Sequence, residues 1–365
     1  MHPFSLILSW CQRSLFPELE DEFGPLGGKH RKLIDTLVLL PIEEALGNSG
    51  SAGRGRPTKD RCAIARAFVA KSVLKLPDTE ALICYLHTSP MTRKICGWSR
   101  AGEIPSAATF SRAFAEFSDM QLPSRLHEIV IEQIFEDRIV GHVSRDSTDI
   151  HGREKPKSKR RKKEIRVKKK RGRPKKGEVR PPKEPTRLER QQKMNLEEMI
   201  ADLPVACDVG SKTNSKGKKN MWIGYKLHVD YSDSGIPISC LLTSASVHDS
   251  QVALPLSLIS NQRVNSLYDV MDAAYDMPII HDQCDQLGHV AIIDHNPRRG
   301  GKKRQMDPAK TLRYNIRSSS ERGFSRLKDG FGACFVRVRG HTKVFTHLMF
   351  GVLALTVDQF ASTTA

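Results

Sequence analysis

The chain reads as an α/β protein with a small all-α region in front of it. From about residue 27 to 139 the apolar residues recur at helical spacing, and from about 140 onward short β-rich runs alternate with helical stretches. With 365 residues, 39% of them hydrophobic, the chain is long enough to bury one large or two modest cores.

In the first part, the run 61–76 reads as a helix that stops at Pro77, and Asp78 or Thr79 then caps a shorter one carrying Leu82, Tyr85 and Leu86. Pro105 and Ser106 open another, with Phe110, Phe114 and Phe117 on one face. Helix, short turn and helix in this arrangement serve either to dock in a DNA groove or to pack and dimerise, and the pattern alone leaves both open.

At about Arg153 the composition changes. Through Lys193 the chain holds 21 Lys or Arg against 5 Glu and is almost free of large apolar residues. Such a stretch builds no core, and its self-repulsion predicts disorder without a polyanion. Inside it, Arg171-Gly-Arg173-Pro174 is similar to the AT-hook, a peptide that lies in the narrow minor groove of A·T-rich DNA. Arg171 and Arg173 are therefore DNA-binding candidates. A related string occupies 53–57, and both also read as plain basic loops.

Beyond the basic stretch, 222–231 and 236–245 are β-rich runs joined by Ser232-Asp-Ser-Gly235, a hairpin signal. A helix over 248–258, a strand at 267–271, a helix over 278–287 and a strand at 289–293 follow, then helices over 312–328 and 343–360. With an early strand at 142–147, the order is that of a ribonuclease H-like fold with the basic stretch inserted after its first strand. The implied division is a helical region over 1–139 and a catalytic region over 140–365, interrupted at about 153–193.

Charge narrows the function. A net +18 and a pI of about 9.6 point to nucleic acid as partner. The longest apolar stretch, 348–357, is far shorter than the roughly 20 residues that span a bilayer, and the opening residues lack a secretory signal, so no membrane and a cytoplasmic location are expected. The eight cysteines are scattered without the close pairs of a zinc site and read as reduced thiols.

Cutting a phosphodiester with two divalent cations about 3.5 to 4 Å apart requires convergent carboxylates, which favour magnesium or manganese. Asp146 at the end of the first strand, Asp272 at the end of a later one and Glu321 on the penultimate helix fit. Asp149 lies an odd number of residues from Asp146, so on one strand only one of the two enters the site. Asp276 precedes Pro278 and reads as a helix cap; Asp208, Asp249 and Asp294 are further candidates.

Tyr314, Arg317, Glu321 and Lys328 fall on one helical stripe. The stripe suits an exposed face with an Arg317–Glu321 pair contributing a few tenths of a kcal/mol, and equally a metal ligand beside phosphate-binding groups. The pattern Tyr-x2-Arg-x3-Glu-x6-Lys resembles the signature of the DDE transposases of bacterial insertion sequences. So do Trp222-Ile-Gly-Tyr-Lys-Leu-His-Val, Thr243-Ser-Ala-Ser-Val-His-Asp-Ser and Val270-Met-Asp272-Ala-Ala-Tyr-Asp. Gly55-Arg56-Pro57 and Cys96-Gly-Trp98 before Ile104-Pro-Ser106 look like the helical domain preceding the catalytic one in many members.

The resemblance implies that Asp146, Asp272 and Glu321 are catalytic and bind two magnesium or manganese ions, while Tyr314, Arg317 and Lys328 hold DNA phosphates at the cut end. It implies hydrolysis at the element's end, strand transfer into target DNA, a homodimer on DNA and a place at the bacterial nucleoid. The short distance from Asp272 to Glu321 leaves no room for the large β-rich insertion of some members. A nuclease without strand transfer and a non-catalytic DNA-binding derivative are the rival readings.

Overall fold

The structure, a computed structural model, describes residues 3–47, 58–136, 138–156, 184–213, 217–297, 301–334 and 336–364. Helices begin earlier than the apolar spacing indicated, with α1 Pro3–Trp10 and α2 Phe16–Phe23 joined by a π-helical turn, then α3 Gly28–Leu39 and α4 Ile42–Leu46. α5 Arg61–Val73 starts where Asp60 accepts from the amides of Cys62 and Ala63, and α6 Thr79–Thr88 where Asp78 accepts from Ala81. α7 Pro90–Cys96, α8 Ala107–Asp119 and α9 Leu122–Phe135 complete the helical layer.

The expected phenylalanine face of α8 is buried. Phe110, Phe114 and Phe117 surround Phe68 of α5 with ring centroids 5.0 to 6.3 Å away. The other side of that cluster comes from the far end of the chain: Phe350 of α16, His341–Thr364, stacks on Phe68 at 5.7 Å. α16 is long and apolar enough to cross a bilayer, but 78% of its apolar window is buried among α3, α5, α8, α9 and the sheet. One apolar core runs from the N-terminal helices through α16 into the sheet.

The sheet holds β1 Ile139–His151, β2 Asp208–Thr213, β3 Lys219–Tyr231, β4 Pro237–Ser244, β5 Asn265–Met271 and β6 Val290–Ile293, in the order β2-β3-β1-β5-β6 with β4 also on β3. β1 is antiparallel to β3 and parallel to β5, and β5 is parallel to β6. Between strands lie α10 Arg187–Gln191, α11 Leu196–Ala201, α12 Ala253–Arg263 and α13 Pro278–Gln286, and after β6 come α14 Pro308–Tyr314 and α15 Ser318–Gly330. This mixed sheet behind a helical layer is the ribonuclease H-like arrangement that the element order predicted.

Several expectations need correction. β1 spans thirteen residues, so Asp146 lies within the strand and not at its end; polar side chains inside the sheet hid the extension. The stripe from Tyr314 to Lys328 is not one α-helix, because Asn315–Arg317 tightens into a 3-10 turn between α14 and α15. The basic stretch is not structureless throughout: Thr186 and Glu189 form a capping box on α10, and Arg187 and Arg190 both pair with Asp202. Arg171, Arg173 and the string at 53–57 lie outside the described residues.

Candidate active site

The parallel ladder of β1 and β5 ends with Arg145 opposite Met271, which sets the next residues, Asp146 and Asp272, side by side. Behind them the sheet is held by ions. Arg145, 1% exposed, makes a two-pronged pair with Asp230 of β3, Nε to Oδ1 at 2.8 Å and Nη2 to Oδ2 at 2.7 Å. Ser260 of α12 donates to the same Asp230 at 2.6 Å, and Arg145 Nη1 reaches Met271 Sδ at 3.5 Å. Removing one member of such a pair strands a buried charge at a cost of about 3–5 kcal/mol. These partners were not found by reading the sequence; the adjacency of Arg145 to Asp146 was the only local signal.

On the site face, Asp146 Oδ1 accepts from the Ser147 amide at 2.7 Å and Oδ2 from Arg317 at 3.1 Å. Burial, with the charge of Asp272 added, pushes the Asp146 carboxyl up to about 6 against the pull of Arg317 and Lys212. Asp272 is likewise raised by burial, and its Oδ1 accepts from the Ala274 amide at 2.9 Å, capping a 3-10 turn. Arg317 sends its other nitrogen to Glu321 at 2.5 Å, so one guanidinium bridges Asp146 and the more exposed Glu321. Tyr314 is half-buried, and burial raises its hydroxyl. Lys328 stands apart from Asp146 and Asp272, paired with Asp149 at 2.9 Å.

The rival carboxylates each have partners of their own. Asp149 also meets His151, and burial notwithstanding, Lys328 holds its carboxyl below the usual range. The N-cap position of α13 is Met277 and not Asp276, which accepts from the Asn296 amide at 2.9 Å and meets His281 at 3.2 Å, tying down the loop after β6. Asp294 pairs with Lys303, and Asp208 accepts from the Val209 amide at the start of β2. Asp249 lines the same cleft as Asp272, hydrogen-bonded by Lys226 at 3.0 Å and Ser147 at 2.9 Å; despite burial, His228 and Lys226 keep it ionised.

Among the described residues no three His, Cys, Asp or Glu side chains gather closely enough to hold one metal ion. The donors nevertheless suit a hard cation. Asp146 and Asp272, both half-buried, offer carboxylate oxygens side by side, and a positive charge, that of Arg317, already sits between Asp146 and Glu321. Asp272, with Asp149 and Asp249, lines a cleft of about 800 Å³ that begins beside Asp146 at Ser147.

Fold and site together define a class, a ribonuclease H-like α/β protein with acidic residues side by side on adjoining parallel strands. Residues 141–357 match the Transposase DDE domain and residues 20–116 match the Transposase domain (DUF772). The first match covers more than half of the chain, and the chain belongs to the transposase DDE domain family. No curated protein and no solved structure matches it. Membership implies an enzyme of DNA transposition that binds DNA, in a family that uses divalent metal.

Proposed function

We propose that the chain is an insertion-sequence transposase of the group with the Tyr-Arg-Glu-Lys signature, hydrolysing the element's ends and joining the freed 3′ end to target DNA as a DNA-bound homodimer. The observation that carries this is the β1–β5 register, with Asp146 and Asp272 adjacent and Arg317 and Glu321 over them. Asp146, Asp272 and Glu321 would hold magnesium or manganese, two ions in all, which when bound supply Lewis-acid stabilisation of the attacking and leaving oxygens. The chain's own residues do the rest. Arg145 and Asp230 fix the strand that carries Asp146, the Ala274 amide orients Asp272, and Arg317, Tyr314 and Lys328 are the groups that meet phosphate.

The test uses a duplex carrying the DNA that flanks the coding region. Cleavage requires magnesium or manganese and stops with chelator. Glu321→Gln, Asp146→Asn and Asp272→Asn lower cleavage roughly a thousandfold or more with end binding retained, whereas Asp149→Asn and Asp276→Asn are milder. Cleavage by Glu321→Gln at the parent rate removes Glu321 from the site, and cleavage in excess chelator removes the metal mechanism.

A further inference from the structure

β2 and the first half of β3 form a two-stranded arm that was not expected from the sequence. Its register runs from Asp208 opposite Gly224 to Thr213 opposite Lys219, after which β3 passes into the body of the sheet between β1 and β4. The passage is made at Gly224, with φ at +150° and room for no side chain: a Cβ there would stand 2.1 Å from the Ile150 carbonyl oxygen. Beyond it the arm is exposed at Ser211, Lys212, Thr213, Lys219, Asn220 and Met221.

Two features of the arm call for a partner. The stretch 211–220 carries four lysines and no acidic residue. Val209, Ile223 and Met221 share one face through the cross-strand pairs Val209–Ile223 and Ser211–Met221, and they are 37%, 44% and 65% exposed. The arm also walls the 800 Å³ cleft opposite Asp249 and Asp272. Lys226, deeper on β3, is spent on the Val247 carbonyl and Asp249, whereas Lys212 and Lys219 lie exposed at the rim.

A phosphodiester chain approaching this cleft is repelled by Asp146, Asp249 and Asp272 unless cations face it from the other side. Lys212 and Lys219 line the same cleft as Asp249 and Asp272. We propose that the arm is a DNA clamp, closing over the strand that enters the carboxylate cleft with Lys212 and Lys219 on phosphates and Met221 against the nucleotides. The clamp rests on the DNA-bound reading above and adds to it a contact separate from the basic stretch and from the residues around Glu321. An outer half that carries lysines, with its one acid, Asp208, at the base, favours a polyanion over a protein surface.

The experiment uses the full chain and, as probe, a mixed-sequence duplex ending in a single-stranded 3′ extension. In Lys212→Ala/Lys219→Ala the slope of log affinity against log salt falls by about 1.8, so a fourfold rise in salt costs about tenfold less affinity than in the parent. A photo-crosslinking residue in place of Met221 joins the DNA, and one in place of the equally exposed Ile139, at the opposite end of β1, does not. Both lysines are exposed, so an unchanged melting temperature shows the variant folded. An unchanged slope overturns the clamp, as does crosslinking from position 221 to a second copy of the chain in place of DNA. A chain that crosslinks at 221 yet cuts no DNA keeps the clamp and loses the enzymatic reading. One that cuts DNA with no crosslink at 221 does the reverse.

Discussion

Arg317 sends one nitrogen to Asp146 and another to Glu321, so in the free protein one side chain engages two of the three proposed ligands. A divalent ion has to displace it or share the carboxylates with it. Arg317→Ala is therefore expected to tighten manganese binding in the absence of DNA by about tenfold, the equivalent of 1.4 kcal/mol, while weakening the hold on DNA. Titration calorimetry with manganese reads this directly, and an affinity equal to the parent's would show that Arg317 does not compete. At this scale the sequence was informative over short spans only. The Arg317–Glu321 pair is one helical turn apart and was legible. The Arg317–Asp146 bond joins residues 171 positions apart and the Arg145–Asp230 pair 85, separations on which periodicity is silent.

α15 carries Glu321 and presses on the sheet through Gly323, where a Cβ would stand 2.3 Å from the Tyr231 ring. Any side chain there lifts the helix from β3. Gly323→Ala is expected to destabilise by about 1–3 kcal/mol and to lower cleavage further than the lost folded fraction explains, because Glu321 moves with the helix. Urea midpoints and cleavage rates measured together decide it, and a parent-like midpoint would mean that Tyr231 yields. Elements bounded by strong punctuation were readable: α5 before Pro77, α6 with its Asp78 cap, and the β3–β4 hairpin around Gly235. β2 was not, since Asp-Val-Gly-Ser-Lys-Thr is largely exposed and has no buried face to pattern. The 3-10 turn at Asn315–Arg317 escaped because three residues per turn and 3.6 predict the same neighbours over so short a run.

Three buried histidines bear on the molecule as a unit. His127 of α9 bonds the Pro237 carbonyl of β4, His347 of α16 bonds the Gly332 carbonyl, and His228 of β3 bonds Thr243 of β4. Burial pushes them down to about 3, 3 and 4. The unfolded chain takes up their protons near pH 6.5 and the folded one does not, so their contribution is full above 6.5 and is lost as pH falls toward 4, by on the order of 1.4 kcal/mol per unit for each. Asp146 and Asp35, both raised to about 6, and Asp272, also raised, act in the opposite sense, but His30 and His341, lowered by burial, add to the side of the three histidines. The urea midpoint should therefore be lower at about pH 5 than at about pH 7.5, and His127→Gln should narrow the gap. Equal midpoints would mean that these imidazoles titrate normally.

The place of α16 has a bearing on how the chain is made. Lys71 of α5 and His347 of α16 touch across 276 positions, and Phe68 receives its stacking partner only from Phe350. At a synthesis rate of about 5–20 residues per second, the helical layer waits roughly ten to forty-five seconds on the ribosome with its groove open. A ribosome that stalls between α9 and α16 leaves a polypeptide with every helix of that layer and nothing to seal it. Such a product is a substrate for chaperones and proteases and not a smaller working protein.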